Sequence, residues 1–584
     1  MLIRVLYLSV FLAAGPAASA SADDARTLHR VADEYFEWRQ HNDSLAYPPL
    51  DTMARLSHMP VIPDISLSAA RRAGRVAGGW LDVLAPISYT ALSHEDQLTL
   101  DVLRWDLQNY AEAARYYWLD FPISVYGTRL AAVHDILTGY VFHGQGDAGR
   151  YLALVLQYSV LIDQMTDKMQ GQLARGIVMP VGEIDVSRRF IASLVTEPRN
   201  SLWYVTSERL AQLPADQSQR FQDQVRSAIE RKIIPSLRRM LAFLDGGYRT
   251  KAPTAVGLAQ YKDGAAYYRW LVRFYTTEEL SPEAVHHMGL AQVARLEAQL
   301  AAVQSELGIP GGFEGMRAAA EKVPRLHARS SEEVGERLNA YLRRIEPVVP
   351  HFFSKMPSAP YAVRRLGPAL EGGLTFGYYQ DPTPASPAGI YWYNGSSLDH
   401  RSMLTAGALI YHELIPGHHM QHSFQVDNEA LPAFRRYGGS NAFDEGWATY
   451  ASDVAGDMGM YTDPYDRWGL IADQLMVATR LVVDTGLNAL GWSRESASEY
   501  MSAHTFLSSQ EIGTETLRYS SDIPAQGLSY ATVSEKIENI REREKAALGD
   551  AFDIRRFHDA VLLSGALPMP VLEKHVHWYL RQAP

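Results

Sequence analysis

The segment IYHELIPGHHM, residues 410–420, holds three histidines and one glutamate. A hydrolytic zinc site needs such residues, because histidines bind the ion and a nearby carboxylate accepts a proton from water. The usual zinc-peptidase motif, HExxH, places its two histidines four residues apart on one helical face. Here His412 and His418 are six residues apart, with Pro416-Gly417 between them. The segment therefore has the residue types of a zinc site but not its regular spacing.

The Pro416-Gly417 pair accounts for the longer spacing. A regular helix would turn His418 about 240° away from His412, since each residue advances about 100°. Proline removes a helical N–H and crowds the preceding turn, and glycine tolerates unusual backbone angles. We expect a widened turn that returns His418 to the side of His412. His419 then points elsewhere, toward substrate, and His422, four residues after His418, is the competing ligand.

A third ligand is expected on a later helix. The segment FDEGWATYAS places Glu445 27 residues after His418. Asp444 is its rival, although an aspartate more often orients a ligand histidine than binds the ion itself. We predict Zn²⁺ held by His412, His418 and Glu445, with Glu413 as the general base.

Composition limits the class of protein. The chain has 584 residues, of which 47% are apolar and 21% charged, as in ordinary globular proteins. The formal net charge is -11, and no long block of Lys or Arg occurs. Nucleic acid is therefore not an expected partner. The 32 tyrosines and 11 tryptophans indicate large packed interfaces or a substrate cleft.

The first 22 residues are typical of a secretory signal peptide. Arg4 precedes an apolar run at 5–14, and small residues follow at 18–22 in an A-x-A pattern. The run is shorter than the ~20 residues that span a bilayer, which disfavours the alternative of an uncleaved membrane anchor. The chain has no cysteine, so neither a disulfide nor a lipid-anchored export signal is expected. We predict an exported, periplasmic protein whose mature chain has no membrane span.

Helical periodicity dominates the rest of the chain, so the predicted fold is mainly α. Residues 23–370 form a predicted N-terminal helical region, in which Ser281 and Gly308 bound one long helix. Residues 371–584 form a predicted catalytic region within the same continuous fold. The segment 373–397 is the exception, because its strand-type residues indicate a β-hairpin with the second strand at 389–394.

Three segments together resemble the DUF885 family of predicted bacterial zinc metallopeptidases. These are YHELIPGHHMQH, FDEGWATYAS and LRYSSDIPAQGLSYATV, and the similarity extends over nearly the whole mature chain. The sequence departs from the family pattern at 524–527, where PAQG stands in place of Pro-Gly-Gln-Ala. The resemblance implies a large helical, bowl-like body of the gluzincin or oligopeptidase type, with a deep cleft and a small sheet beside the metal helix.

The resemblance also implies substrate-binding residues. The 389–394 strand would be an edge strand that pairs with an extended peptide. Tyr519 and Tyr530 would donate a hydrogen bond to the oxyanion, with packing as the alternative role of each. Arg518 would bind a substrate carboxylate or hold Tyr519. The remaining candidates for substrate contact are Tyr391, Tyr393, His419 and Gln526.

These observations predict an exported zinc peptidase that hydrolyses oligopeptides with metal-activated water. Two alternatives stay open: a metallo-amidase acting on a non-peptide or cell-wall amide, and a non-catalytic peptide-binding protein. A serine hydrolase is disfavoured, since GGSNA at 438–442 lacks the final glycine of a nucleophile elbow. The sequence does not indicate the oligomeric state, the natural substrate or the choice between exo- and endopeptidase.

Overall fold

The computed structural model describes residues 16–42, 62–124, 130–367, 371, 377–382, 386–398 and 401–583. The apolar run of the predicted signal peptide lies outside these ranges, so that prediction is not tested. Within them, no helix has the length and apolar character that crossing a bilayer would need.

The predicted mainly α fold is confirmed, and side-chain caps define many of the helix ends. Ser281 caps a helix that begins at Pro282 and ends before Gly308, as predicted. The helices of the first part of the chain are α1 Pro16–Asn42, α2 Leu67–Leu84, α3 His94–Ala113, α4 Leu130–Thr138, α5 Gln145–Leu173, α6 Val181–Ser193, α7 Ala215–Ala228, α8 Ile234–Phe243, α9 Gly264–Thr276, α10 Pro282–Leu307, α11 Gly312–Lys322 and α12 Ser331–Ile345.

The second part of the chain supplies the helices that surround the site. They are α13 Ala406–Glu413, α14 His418–Asp427, α15 Ala433–Arg436, α16 Asn441–Asp457, α17 Pro464–Asn488, α18 Arg494–His504, α19 Ser509–Leu517, α20 Leu528–Leu548, α21 Ile554–Leu562 and α22 Met569–Tyr579. Helix α17 packs along α10, and α16 packs along α20. The described part of α17 is buried on most sides, which makes it the central helix of this half.

Three strands form a small sheet: β1 Tyr361–Arg365, β2 Gly377–Gln380 and β3 Gly389–Tyr393. The predicted hairpin is present, since β2 pairs antiparallel with β3. The expectation that β3 is an edge strand is wrong, because β1 pairs with its other side in parallel. A peptide therefore cannot add to β3, whose main-chain groups already bond to two neighbours.

The largest core cluster joins the two predicted regions. It contains Leu28 and Leu103 from the first region together with Ile410, Trp447 and Ile537 from the second. The described residues thus share a core across the predicted boundary at 370. The bowl-like outline and the deep cleft stay predictions.

Candidate metal site

The candidate metal site begins at a break between two helices. Helix α13 ends at Glu413, and Leu414 has φ -111° and ψ -94°, outside the helical region. Helix α14 begins at His418, after Gly417. The prediction of one widened turn is therefore wrong in form, because the helix stops and restarts. Its consequence holds, since His418 lies beside His412 with their ring centroids 4.8 Å apart.

Gly417 is dictated by a close approach of the main chain. A Cβ at this position would lie 1.8 Å from the carbonyl oxygen of His412, a distance that no side chain can occupy. Gly417 has φ -78° and ψ -133°, outside the main helical and extended regions. The predicted unusual backbone angles are therefore present, and crowding by the His412 carbonyl is a second reason for glycine. Glycine at 417 allows the second helix to start directly against the end of the first.

Helix α16 brings Glu445 to the two histidines, and the Glu-Gly-Trp motif explains how. A Cβ on Gly446 would lie 2.2 Å from Cγ1 of Val533, so glycine permits α16 and α20 to pack closely. The buried indole of Trp447 donates a hydrogen bond from Nε1 to the carbonyl of Pro416 over 3.0 Å. Gly446 thus sets the distance between α16 and α20, and Trp447 fixes α16 to the break between α13 and α14.

The three predicted ligands converge, and they could hold a metal ion. One ligand atom from each of His412, His418 and Glu445 lies within 4.8 Å of the other two. Oε2 of Glu445 is 3.4 Å from Nε2 of each histidine. Their side chains are 13–17% exposed, so solvent reaches the group from one side. Two imidazoles and a carboxylate are the donor set of catalytic zinc sites that leave one position open. These three residues are called the ligand cluster below.

Charge in the ligand cluster suits a cation. Burial on its own would raise the pKa of Glu445, but hydrogen bonds from His412 and His418 hold that pKa well below its ordinary value. Burial lowers the pKa of His418, whose Nδ1 has no hydrogen-bond partner among the described residues. The pKa of His412, which burial lowers, is raised on balance by its hydrogen bond to Glu445. The cluster therefore combines an ionised carboxylate, one imidazole that favours the neutral, metal-binding form and one that favours the protonated form.

Glu413 lies next to the cluster and has the properties of a base. Burial raises its pKa to about 7, with smaller contributions from the negative charges of Glu445 and Asp473, while His412 opposes the rise. Basicity increases with pKa, so this carboxylate accepts a proton more readily than an exposed glutamate.

Tyr530 contacts two members of the cluster, whereas Tyr519 contacts none. The hydroxyl of Tyr530 donates to Oε1 of Glu445 over 2.9 Å, and its ring lies parallel to that of His412. Tyr519 is fully buried, and its hydroxyl accepts from Arg480 at 2.7 Å and donates to Glu515. The structure therefore does not bring Tyr519 to the cluster, and its oxyanion role stays a prediction. Arg480 in turn lies over the ring of Tyr530 at 4.6 Å, so Tyr519 supports the site indirectly.

The other histidines have different partners. His419 is fully buried, with Nε2 at 2.9 Å from the carbonyl of Ala359 and Nδ1 at 3.0 Å from the hydroxyl of Tyr379. The two nitrogens join α14 to strand β2 and to the segment just before β1, and contact of His419 with substrate stays a prediction. His422 pairs with Asp381 at 2.6 Å and is outside the ligand cluster.

The remaining predicted residues are mostly structural. Asp444 accepts from the main-chain N–H of Ser440 and from the side chain of Gln421, and it does not join the cluster. Tyr391 and Tyr393 of β3 are buried, at 1% and 8% exposure. Substrate contact by these two tyrosines stays a prediction that their burial does not support.

Arg518 and Gln526 form part of the surroundings of Tyr530. The guanidinium of Arg518 donates to the side-chain oxygen of Gln526, and Gln526 donates to Asn441, the first residue of α16, over 3.3 Å. These bonds join the segment before α20 to the helix that carries Glu445. Substrate binding by the two residues stays a prediction.

Sequence reasoning missed Arg480 and Asp473, which face the site from α17. The pKa of Arg480 is raised on balance. Burial lowers it, but the charged partners, foremost Glu515, raise it by more. Asp473 contributes a negative charge near His412 and Glu413. Neither belongs to a recognisable motif, and α17 carries other charged residues, so the sequence does not single these two out.

Comparison with known proteins relates the chain to one protein family and to two solved structures. The family described as "Bacterial protein of unknown function (DUF885)" matches residues 51–576. No curated protein matches. A solved structure of a "putative lipoprotein" from Colwellia psychrerythraea has a TM-score of 0.85 and 25% identity, over 96% of this chain and 99% of that one. A second, described as a "putative lipoprotein of unknown function" from Shewanella oneidensis, has a TM-score of 0.67 and 16% identity, over 96% and 99%.

Proposed function

The chain belongs to the DUF885 family, and we propose that it is an exported zinc-dependent peptidase. The observation that carries this proposal is the convergence of His412, His418 and Glu445 within 4.8 Å, beside a carboxylate suited to act as a base. Export is supported by the signal-like N-terminus and by the description of the Colwellia relative as a putative lipoprotein.

Zinc is the ion that best suits the donor set and the neighbouring base. A bound Zn²⁺ would lower the pKa of a water molecule and polarise a substrate carbonyl. The same two-histidine, one-carboxylate set also binds Fe(II) in oxygenases. An adjacent carboxylate at the position of Glu413 favours hydrolysis, because hydrolysis requires a proton acceptor for water.

The residues of the chain then have separate tasks. Glu413 accepts a proton from the attacking water and passes it to the leaving amine. Tyr530 supplies a hydroxyl next to Glu445 that can donate to the oxygen on which negative charge develops. Arg480, positioned over the Tyr530 ring, restricts the orientation of that ring.

The first test replaces Glu413 with Gln. Because Glu413 is outside the ligand cluster, Glu413→Gln is expected to retain bound zinc while hydrolysis of a peptide library falls at least a hundredfold. Glu297→Gln, which alters a carboxylate paired with His504 away from the cluster, is the matched control and should retain activity. Unchanged turnover in Glu413→Gln would rule out Glu413 as the base.

The second test concerns the ion. Elemental analysis of the purified protein is expected to give zinc, with loss of that zinc in His418→Ala and loss of hydrolysis in EDTA. Iron in place of zinc, or full hydrolysis after exhaustive chelation, would contradict the zinc assignment. A protein that binds peptides but hydrolyses none with zinc present would support the peptide-binding alternative instead.

A further inference from the structure

Five aromatic rings form an unbroken series of contacts on one side of helix α9. Tyr116 packs on Tyr267 at 5.1 Å, Tyr267 on Trp270 at 6.0 Å, Trp270 on Phe274 at 5.4 Å, and Phe274 on Tyr275 at 5.1 Å. The first three pairs are stacked, with interplanar angles of 16–29°. These five residues are called the aromatic strip. Large rings normally pack inward, yet every ring of the strip is only partly buried.

One end of the strip lies against the candidate metal site. The hydroxyl of Ser529 donates to the carbonyl of Tyr275 over 2.8 Å, and Ser529 directly precedes Tyr530. The oxygen of the same hydroxyl lies 3.0 Å from the side-chain oxygen of Asn441, the first residue of α16. The C-terminal end of α9 therefore lies against both the helix that carries Glu445 and the helix that carries Tyr530.

The rings of the strip combine partial exposure with partial desolvation. Burial raises the pKa of Tyr275 to about 12 and that of Tyr267 well above its ordinary value, although both rings keep exposed surface. The carboxylate of Asp120 adds to both shifts, and Arg518, beside Tyr530, acts on the Tyr275 hydroxyl in the opposite direction. Partly exposed rings in a continuous series present a surface that apolar side chains can contact.

We propose that the aromatic strip is an extended subsite of the candidate metal site, and that it binds the apolar, preferably aromatic, side chains of an oligopeptide substrate. This inference rests on the proposed function and adds a substrate class to it. Continuity with the ligand cluster through Ser529 identifies the substrate itself, rather than a second protein, as the occupant.

The length of the strip sets the length of the peptide. Tyr267 and Tyr275 are eight residues apart on α9, which corresponds to about 12 Å at 1.5 Å per residue. An extended peptide advances about 3.3 Å per residue. The strip therefore accommodates three to four residues on one side of the bond that is cleaved, which favours oligopeptides over dipeptides.

The test measures peptide binding separately from hydrolysis. The probes are hexapeptides of alanine with one phenylalanine moved through the six positions, and binding to Glu413→Gln is measured by calorimetry. We expect phenylalanine at one or two positions to increase affinity about tenfold over the all-alanine peptide. In the double variants with Phe274→Leu or Tyr267→Leu that gain should fall to twofold or less, because leucine keeps apolar volume but loses the planar ring.

Phe313→Leu in the same background is the matched control. Phe313 also stacks on a partly exposed ring, Phe506 at 4.8 Å, but belongs to α11, outside the strip. The gain should persist in this variant. A gain that survives both strip substitutions, or no gain at any position, would overturn the subsite. Ring-dependent binding of amino-sugar oligomers without a phenylalanine gain would also overturn it, in favour of a glycan.

The two proposals can fail separately. Hydrolysis of the peptide library by the wild-type protein, together with no phenylalanine gain, refutes the strip alone. Absence of hydrolysis in the zinc-loaded wild type refutes the peptidase. Phenylalanine-dependent binding in that case leaves the strip as a peptide-binding surface.

Discussion

Replacing Gly417 with Ala tests whether close approach of two helix ends builds the ligand cluster. The added Cβ would lie 1.8 Å from the carbonyl oxygen of His412 and 2.6 Å from that of Tyr411. Contacts under 3.0 Å require movement, and main-chain atoms cannot move aside as a flexible side chain can. Over-packing of this kind costs about 1–3 kcal/mol, and we expect the upper end of that range.

The displacement should also appear in metal binding. The start of α14 must move away from α13, which increases the separation of His418 and His412. We therefore expect Gly417→Ala to lower the free energy of unfolding in urea by about 3 kcal/mol and to weaken zinc binding at least tenfold. Gly79→Ala is the matched control, because Gly79 lies within α2 and an added Cβ there meets nothing within 4 Å. That substitution should stabilise the protein by about 0.5–1 kcal/mol.

Wild-type stability and wild-type zinc affinity in Gly417→Ala would refute this reasoning. Loss of stability with unchanged zinc affinity would refute the link between the position of α14 and zinc binding, since the cluster would then tolerate a displaced α14.

Two further predictions concern buried polar groups. Trp447→Phe removes the donor to the Pro416 carbonyl, and we expect urea denaturation to show a loss of about 1–3 kcal/mol, whereas a loss below 0.5 kcal/mol would contradict that role. Burial lowers the pKa of His558 to about 3, below its unfolded value of about 6.5. The contribution of the neutral imidazole to the free energy of unfolding is therefore complete above pH 6.5 and is lost as the pH falls toward 3. His558→Gln should therefore reduce the pH dependence of unfolding in this window by about 1.4 kcal/mol per pH unit, and an unchanged slope would show that His558 does not titrate this way.

The composition of the ligand cluster could be predicted because its signals are local. His412, Glu413 and His418 lie within one short segment, and Glu445 lies in a motif with few alternatives. The form of the connection could not be predicted, because a widened turn and a break between helices both bring His418 beside His412. The choice between them depends on the packing of Trp447 against Pro416, a contact between residues 31 positions apart.

Residue type alone does not distinguish two neighbouring tyrosines. Tyr519 and Tyr530 lie in the same segment, but only Tyr530, in the first turn of α20, donates a hydrogen bond to Glu445. The hairpin was predictable from its strand residues, whereas the parallel partner β1 was not, because parallel pairing leaves no turn in the sequence. The burial of β3 follows from its pairing with β1, the strand that the sequence did not predict.

The break between α13 and α14 has a consequence for the order of assembly. The ligand cluster takes its members from three helices, α13, α14 and α16, none of which carries more than one ligand. No local segment can therefore present the complete set before the three helices have docked. The chain also has no cysteine, so an ion at this position would be its cross-link between distant segments, closing a loop of 27 residues from His418 to Glu445. The folded protein would then acquire the metal late. Loss of the metal would first weaken the packing between α13, α14 and α16.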